Sequence, residues 1–287
     1  MIDWLKYKII TRGMPKVYYF NLDCDTVRRD FMESQFKKYN IDYERVSQSC
    51  YTDENFDDWI ERFDDSNFMR SFISLKDGFM YPANLLNHLY FMKEWLCKTD
   101  EEHLLIMEDD YDLSLIDYWH FDWDYFIKNL PVDWDSIRLS DDNPKKIRFY
   151  LHPIKKDKSY INFGPMLFKR NTVERIVSAY LNNNNKVKSY TKRSFRKYLN
   201  NNISTVNVDF VLPAFGSSYS IPLITTEASL CINNGGNASM DVFLPIQKTC
   251  HHWWKNERDQ FRLCDFFCYG KPIDDLMTLY TNPQQIV

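Results

Sequence analysis

Apolar positions follow two rhythms along this chain, short unbroken runs and runs spaced by three and four, and the rhythms alternate. Val17-Tyr-Tyr-Phe-Asn-Leu22 is aromatic and β-branched, and short enough for a buried strand. Asp23-Cys-Asp-Thr26 then offers helix-capping residues, and Val27, Phe31, Met32, Phe36 and Tyr39 continue at helical spacing. Tyr43-Glu-Arg-Val46 reads as a second strand, so the opening is β-α-β. Residues 51–75 are acidic and weakly patterned, which predicts loop and short helix. Pro82 precedes Leu85, Leu89, Met92 and Leu96, again a helical series with proline in its first turn. His103-Leu-Leu-Ile-Met107 is the clearest buried strand, and it runs directly into Glu108-Asp-Asp-Tyr-Asp112.

Later elements are shorter. Ser136-Ile-Arg-Leu139 and Met166-Leu-Phe168 are strand candidates, and the basic, proline-containing stretch 143–160 between them is expected to be a mobile loop. Asn171 with Glu174 fits a capping box before Val173, Ile176, Val177, Tyr180 and Leu181, and Asn182 to Asn185 end that helix. A Lys/Arg-rich segment covers 186–199, Val206-Asn-Val-Asp209 leads into Pro213, and Tyr219–Leu223 and Glu227–Ile232 read as extended. Residues 256–282 mix helix and loop. Alternating strands and helices predict an α/β fold, a Rossmann-type mixed sheet flanked by helices. No repeat or linker divides the chain. The expected organisation is one large domain over 1–255, with a C-terminal helical and loop extension, 256–287, packed on it.

Composition narrows the chemistry. The chain carries 36 Lys and Arg against 40 Asp and Glu, a net charge of −4, which gives no basic field for nucleic acid. Only 7 of its 287 residues are glycine, none at dinucleotide-fingerprint or P-loop spacing, so any phosphate site lacks a glycine cradle. No apolar run is long enough to span a membrane, and the first ten residues lack a signal peptide's apolar core. Seven scattered cysteines read as reduced thiols, and the expected location is the cytoplasm. Asn202-Ile-Ser and Asn237-Ala-Ser then match the glycosylation pattern by chance.

Glu108, Asp109 and Asp110, with Asp112 two residues on, are the sharpest chemical feature. Acids placed directly after a buried strand lie at a sheet's carboxyl edge, where open α/β folds bind ligands. Crowded carboxylates repel unless a cation neutralises them, and hard oxygen donors suit Mg²⁺ or Mn²⁺. A solvated acidic turn is the competing reading. Asp209 is either a loop cap or a general base, and Asp141 and Asp142 are either a turn signal or further acids. Cys250-His-His-Trp-Trp254 packs as an aromatic cluster, supplies zinc ligands with Cys264 and Cys268, or contributes His251 to a catalytic metal. The basic stretches are solvated faces or contacts for an anionic acceptor or a diphosphate.

Several of these segments, in this order, resemble glycosyltransferase family 25, the lipopolysaccharide-biosynthesis and procollagen-galactosyltransferase type. The likeness rests on Asn21-Leu-Asp with Arg28-Arg29, on Tyr43-Glu-Arg-Val46, and on Leu104–Leu113 with its Glu-Asp-Asp. Trp134–Leu139, Phe163–Phe168 and Val208-Asp209 extend it over about residues 16–230. The family's G-C-x-x-S-H segment survives only as Gly78 through Asn87-His88, and residues from 240 onward have no counterpart, which marks a divergent member of viral or bacterial type. The resemblance implies a GT-A-like fold and a metal-dependent, inverting transfer from a nucleotide sugar, UDP-linked, to a hydroxyl of a glycan, lipopolysaccharide-like or protein acceptor. It implies Mn²⁺ or Mg²⁺ held by Asp110, with Asp112 in reserve, and Asp109 on ribose or water. Glu108 would support the turn, Asn21, Asp23 and Arg28 would meet the nucleotide, Tyr19 would stack on uracil, and Asp209 would be the base. Two other readings are a non-catalytic carbohydrate-binding or virion structural protein and a metal-dependent phosphohydrolase.

Overall fold

A computed structural model describes residues 2–48, 57–58, 61–63, 80–141, 147–154, 164–186, 216–233 and 238–257. The strands are β1 (Val17–Leu22), β2 (Tyr43–Gln48), β3 (His103–Glu108), β4 (Tyr111–Asp112), β5 (Ser136–Arg138), β6 (His152–Pro153), β7 (Met166–Lys169), β8 (Ser218–Ser220) and β9 (Thr225–Thr226). The helices are α1 (Ile2–Ile10), α2 (Thr26–Tyr39), α3 (Met80–Lys98), α4 (Trp123–Lys128), α5 (Arg170–Tyr180) and α6 (Ala238–Asn256), with 3₁₀ turns at Ser114–Tyr118 and Ala228–Asn233. Seven strands form one mixed sheet in the order β2-β1-β3-β7-β5-β8-β6, and β4 pairs with β9 in a small antiparallel ribbon. β1 is parallel to both β2 and β3, whereas β7 runs antiparallel between β3 and β5. This is the mixed α/β sheet flanked by helices that the alternation of patterns predicts.

Alternation within β1 and β3 divides the core in two. Val17, Tyr19, Leu105 and Met107 point to a cluster with Met32, Phe36 and Tyr39 of α2, Trp123 of α4, and Trp253 and Trp254 of α6. Tyr18, Phe20, Leu104 and Ile106 point to the other face, against Leu86, Leu89 and Met92 of α3 and Val173 and Ile176 of α5. Burial on both faces explains why β3 is an unbroken apolar run. α2 starts where the capping residues predict. The Asp25 side chain accepts from the Arg28 N–H at 3.1 Å, and Asn40 ends the helix in the left-handed region at φ 55°.

The structure departs from the pattern at four places. The segment before β1, where the apolar pattern marks no element, contains α1, tied down by the Tyr7 hydroxyl donating to Asp117 at 2.5 Å. No Asn171 capping box forms. β7 runs on to Lys169, and Arg170 opens α5 with its guanidinium donating to the Leu96 and Thr99 carbonyls at the end of α3. The basic stretch expected as a loop contributes β6, an edge strand where Pro153 is tolerated. Glu227–Ile232, expected to be extended, instead lies largely in a 3₁₀ turn, Ala228–Asn233, where the Glu227 carboxylate accepts from Ser229 N–H at 3.0 Å and Ser229 Oγ at 2.6 Å. No described helix is long and apolar enough to cross a membrane.

Candidate functional site

The chain leaves β1, crosses to β2 on one side, and returns to β3 on the other, so the β1/β3 boundary is a topological switch point. Ligands of open α/β sheets bind outside the carboxyl ends of strands at such a point. The register there is informative. Phe20 lies opposite Glu108 and Asn21 opposite Ser47, which brings Asp109 level with Asn21 at the sheet edge. Asn21 Nδ2 donates to Asp109 Oδ2 at 2.7 Å. Arg28, one turn into α2, donates through Nη1 to Asp109 Oδ1 at 3.0 Å, so both oxygens of that carboxylate are held.

Arg28 is the hub of the site. Its Nη2 donates to the Leu230 carbonyl at 2.6 Å and its Nε lies 3.3 Å from Asp25 Oδ2. Burial alone would lower the guanidinium pKa, but the charges of Asp110, Asp109 and Asp25 reverse this, and the net shift is upward. The acidic triplet therefore carries its own counter-ion. Around it, Arg45 donates to Asn21 Oδ1 at 2.9 Å and to Asp23 Oδ1 at 2.5 Å, and Ser47 Oγ donates to Asp23 at 2.7 Å. These two donors lower the pKa of the exposed Asp23. Asn84, in the first turns of α3, donates to Glu108 Oε1 at 2.8 Å. Asp110 is half-buried, and its carbonyl accepts from the Glu227 N–H at 2.7 Å, which stitches the triplet to the turn after β9.

Asp112 and His251, expected as metal ligands, meet each other directly. His251 Nε2 lies 2.9 Å from Asp112 Oδ2, which also accepts from Gln247 Nε2 at 3.1 Å, while Asp112 Oδ1 accepts from Ser114 N–H at 2.8 Å. Gln247 Nε2 also reaches Glu227 Oε2 at 2.9 Å. Burial would raise the Asp112 pKa, yet His251, Ser114 and Gln247 together bring it down to about 2. The carboxylate fastens α6 to the ribbon of β4 and β9. Among the described residues, no group of three or more His, Cys, Asp or Glu side chains is placed to hold a metal ion.

Tyr19 does not face a ligand. Its position in the β1 alternation buries it fully beside Phe36 and Tyr43, with its hydroxyl donating to Glu33 at 3.0 Å. Asp141 stands at the carboxyl end of β5, parallel to β3 in direction, and accepts from Arg148 N–H at 2.9 Å. His152 approaches Asp141 at 3.8 Å, but burial lowers its pKa to about 3, so it faces the acid as a neutral imidazole. Gly164 enters β7 at the same edge with φ +71°, and a Cβ there would come within 2.6 Å of Ser140 Oγ and 2.8 Å of Arg138 Cγ. Cys250, Trp253 and Trp254 are built into the core, with Phe149 and Trp253 stacked at 4.4 Å, while His252 is exposed. Asp209, Asp142, Cys264, Cys268 and the extension from 258 lie outside the described residues.

Arg45, Asn84, Glu227 and Gln247 were not legible as site residues. The signals in the sequence were the place of Arg45 in the Tyr43–Val46 segment and the i, i+4 spacing of Gln247 and His251, which puts both on one helix face.

Fold and site thus define a mixed α/β protein with an arginine-neutralised acidic centre at its switch point. No protein-family model matches the chain, and no curated protein matches it. The solved structures similar to it include the following two. One is A197 from STIV, 10% identical with a TM-score of 0.38, covering 74% of this chain and 84% of that one. The other is the nucleoside-diphosphate-sugar pyrophosphorylase from Vibrio cholerae RC9, 6% identical with a TM-score of 0.33, covering 85% and 84%. Likenesses of this size carry no argument about activity.

Proposed function

We propose that the protein is a nucleotide-sugar-dependent glycosyltransferase whose donor diphosphate lies over the β1/β3 edge. The observation that carries this reading is the convergence of Asn21, Arg28 and Asp109 at the switch point, with Asp110 beside them. Asp109 is fixed by two donors and is oriented for a ribose hydroxyl or water. Arg28 and Arg45 supply positive charge beside the acids, which suits a dianionic ligand.

The donor set fits Mn²⁺ or Mg²⁺ in one particular way. Such ions take one or two protein carboxylates and complete their shell from substrate phosphates and water. Asp110 supplies a carboxylate of this kind, with Glu108 behind it, so the ion and the diphosphate would bind together. When bound, the ion stabilises charge on the departing diphosphate. Transfer then forms a bond between the acceptor oxygen and the anomeric carbon as the bond to the diphosphate oxygen breaks. Asp209 is proposed to take the hydroxyl proton.

Thermal melting with UDP, UDP-glucose, UDP-galactose and GDP-mannose, each with and without Mn²⁺, tests the reading. Nucleotide plus Mn²⁺ should stabilise the fold, each alone much less, and Asp110→Asn should abolish the joint effect. If no nucleotide stabilises the protein in the presence of metal, the proposal fails. Phosphate release from p-nitrophenyl phosphate would point to a hydrolase instead. For the base, Asp209→Asn should keep donor stabilisation and lose transfer, and unchanged turnover would exclude that role.

A further inference from the structure

A cavity of about 600 Å³ is lined by none of the acids of the 108–112 cluster. One wall is the end of α1 with Arg12, which leads into the amino end of β1. The other is the segment 119–128, which precedes the amino end of β5. β1 and β5 run parallel to β3, so the Arg12 and Asp124 end of this cleft lies toward the sheet edge opposite the acidic triplet.

Its chemistry differs from that of the acidic edge. Buried Trp119 and Phe121 form a stacked pair, with centroids 5.9 Å apart and planes 12° apart, and Trp119 Nε1 is committed to the Leu223 carbonyl at 3.2 Å. Tyr125, 38% accessible, is the exposed aromatic ring of the lining. The rim carries Arg12 and Lys128 against Asp122 and Asp124, two charges of each sign. Arg12 is gripped by both acids, with its Nε 3.3 Å from Asp124 Oδ2. Gly13, at φ +81°, permits this approach, because a Cβ there would collide with the Asp124 carboxylate.

We propose that this cleft is a second binding site, for neutral carbohydrate. The Tyr125 ring matches the C–H face of a pyranose, while planar carboxylate and guanidinium groups match its hydroxyl rim. Balanced charge gives no net field for phosphate or a nucleotide. The volume lies within the range of small-molecule sites. Such a site would hold a glycan chain on the protein without taking part in bond making, and it stands whether or not the acidic edge transfers sugar.

Saturation-transfer NMR and tryptophan fluorescence, with cellobiose, lactose, chitobiose and maltose as probes, test the proposal. At least one disaccharide should bind saturably. Tyr125→Ala should weaken it at least tenfold while leaving thermal melting within a degree or two, and Asp124→Asn should weaken it without unfolding. Asp110→Asn should bind as the unmodified chain does. The proposal is overturned if none of the four sugars binds, if Tyr125→Ala binds unchanged, or if binding is lost in Asp110→Asn. Tighter binding of glucose 6-phosphate than of the neutral sugars in this cleft would also overturn it, since that would make it an anion site.

Discussion

Replacing Arg28 by methionine keeps most of the side-chain volume and deletes the counter-ion of the acidic centre. The size of the effect depends on which regime the pair occupies. Exposed ion pairs contribute about 0–1 kcal/mol, whereas removing one partner of a buried pair costs about 3–5 kcal/mol because a charge is left uncompensated. The Arg28 and Asp109 side chains are 13% and 9% exposed, close to the buried regime. The substitution also strands the Leu230 carbonyl, which accepts from Nη2 at 2.6 Å. A loss of about 3 kcal/mol follows, or roughly 6–12 °C in melting temperature.

Urea unfolding measures the loss, and a second substitution makes the reasoning refutable. In Arg28→Met with Asp109→Asn, the carboxamide needs no counter-charge and still accepts from Asn21, so about 1–2 kcal/mol should return relative to Arg28→Met alone. Two results would overturn the account. One is an Arg28→Met variant within about 0.5 kcal/mol of the unmodified chain, the range of ordinary surface substitutions. The other is a double variant whose loss is the plain sum of the two singles.

Other outcomes follow from the same geometry. The Asp112 pKa is depressed from 3.8 to about 2, so its ionised form stabilises the fold above pH ~4 by roughly 2 kcal/mol, and this is lost as the pH falls toward 2. Urea midpoints of Asp112→Asn should lack that part of the acid dependence, and a slope equal to that of the unmodified chain would contradict it. Gly164→Ala sets a Cβ against Ser140 and Arg138 at a positive φ and should cost about 1–3 kcal/mol. An unchanged melting temperature would show that the turn relaxes freely.

Much of the frame was legible from the chain alone, for a local reason. The β-α-β opening, the two-sided burial of β3 and the placing of acids at a strand's end follow from side-chain period and strand length, which neighbouring residues set between them. Tyr19, expected to stack on uracil, is instead buried on the α2 face by its place in the β1 alternation. What the acids touch was not legible. Arg28 reaches Asp109 across 81 positions and Leu230 across 202, and Gln247 and His251 reach Asp112 across 135 and 139. Partners at such separations are selected by how helices dock on the sheet, and no local pattern encodes docking. Sequence therefore determined that this edge is acidic. Only the tertiary structure decided that Arg28 neutralises it and that Asp112 and His251 spend their contacts on each other.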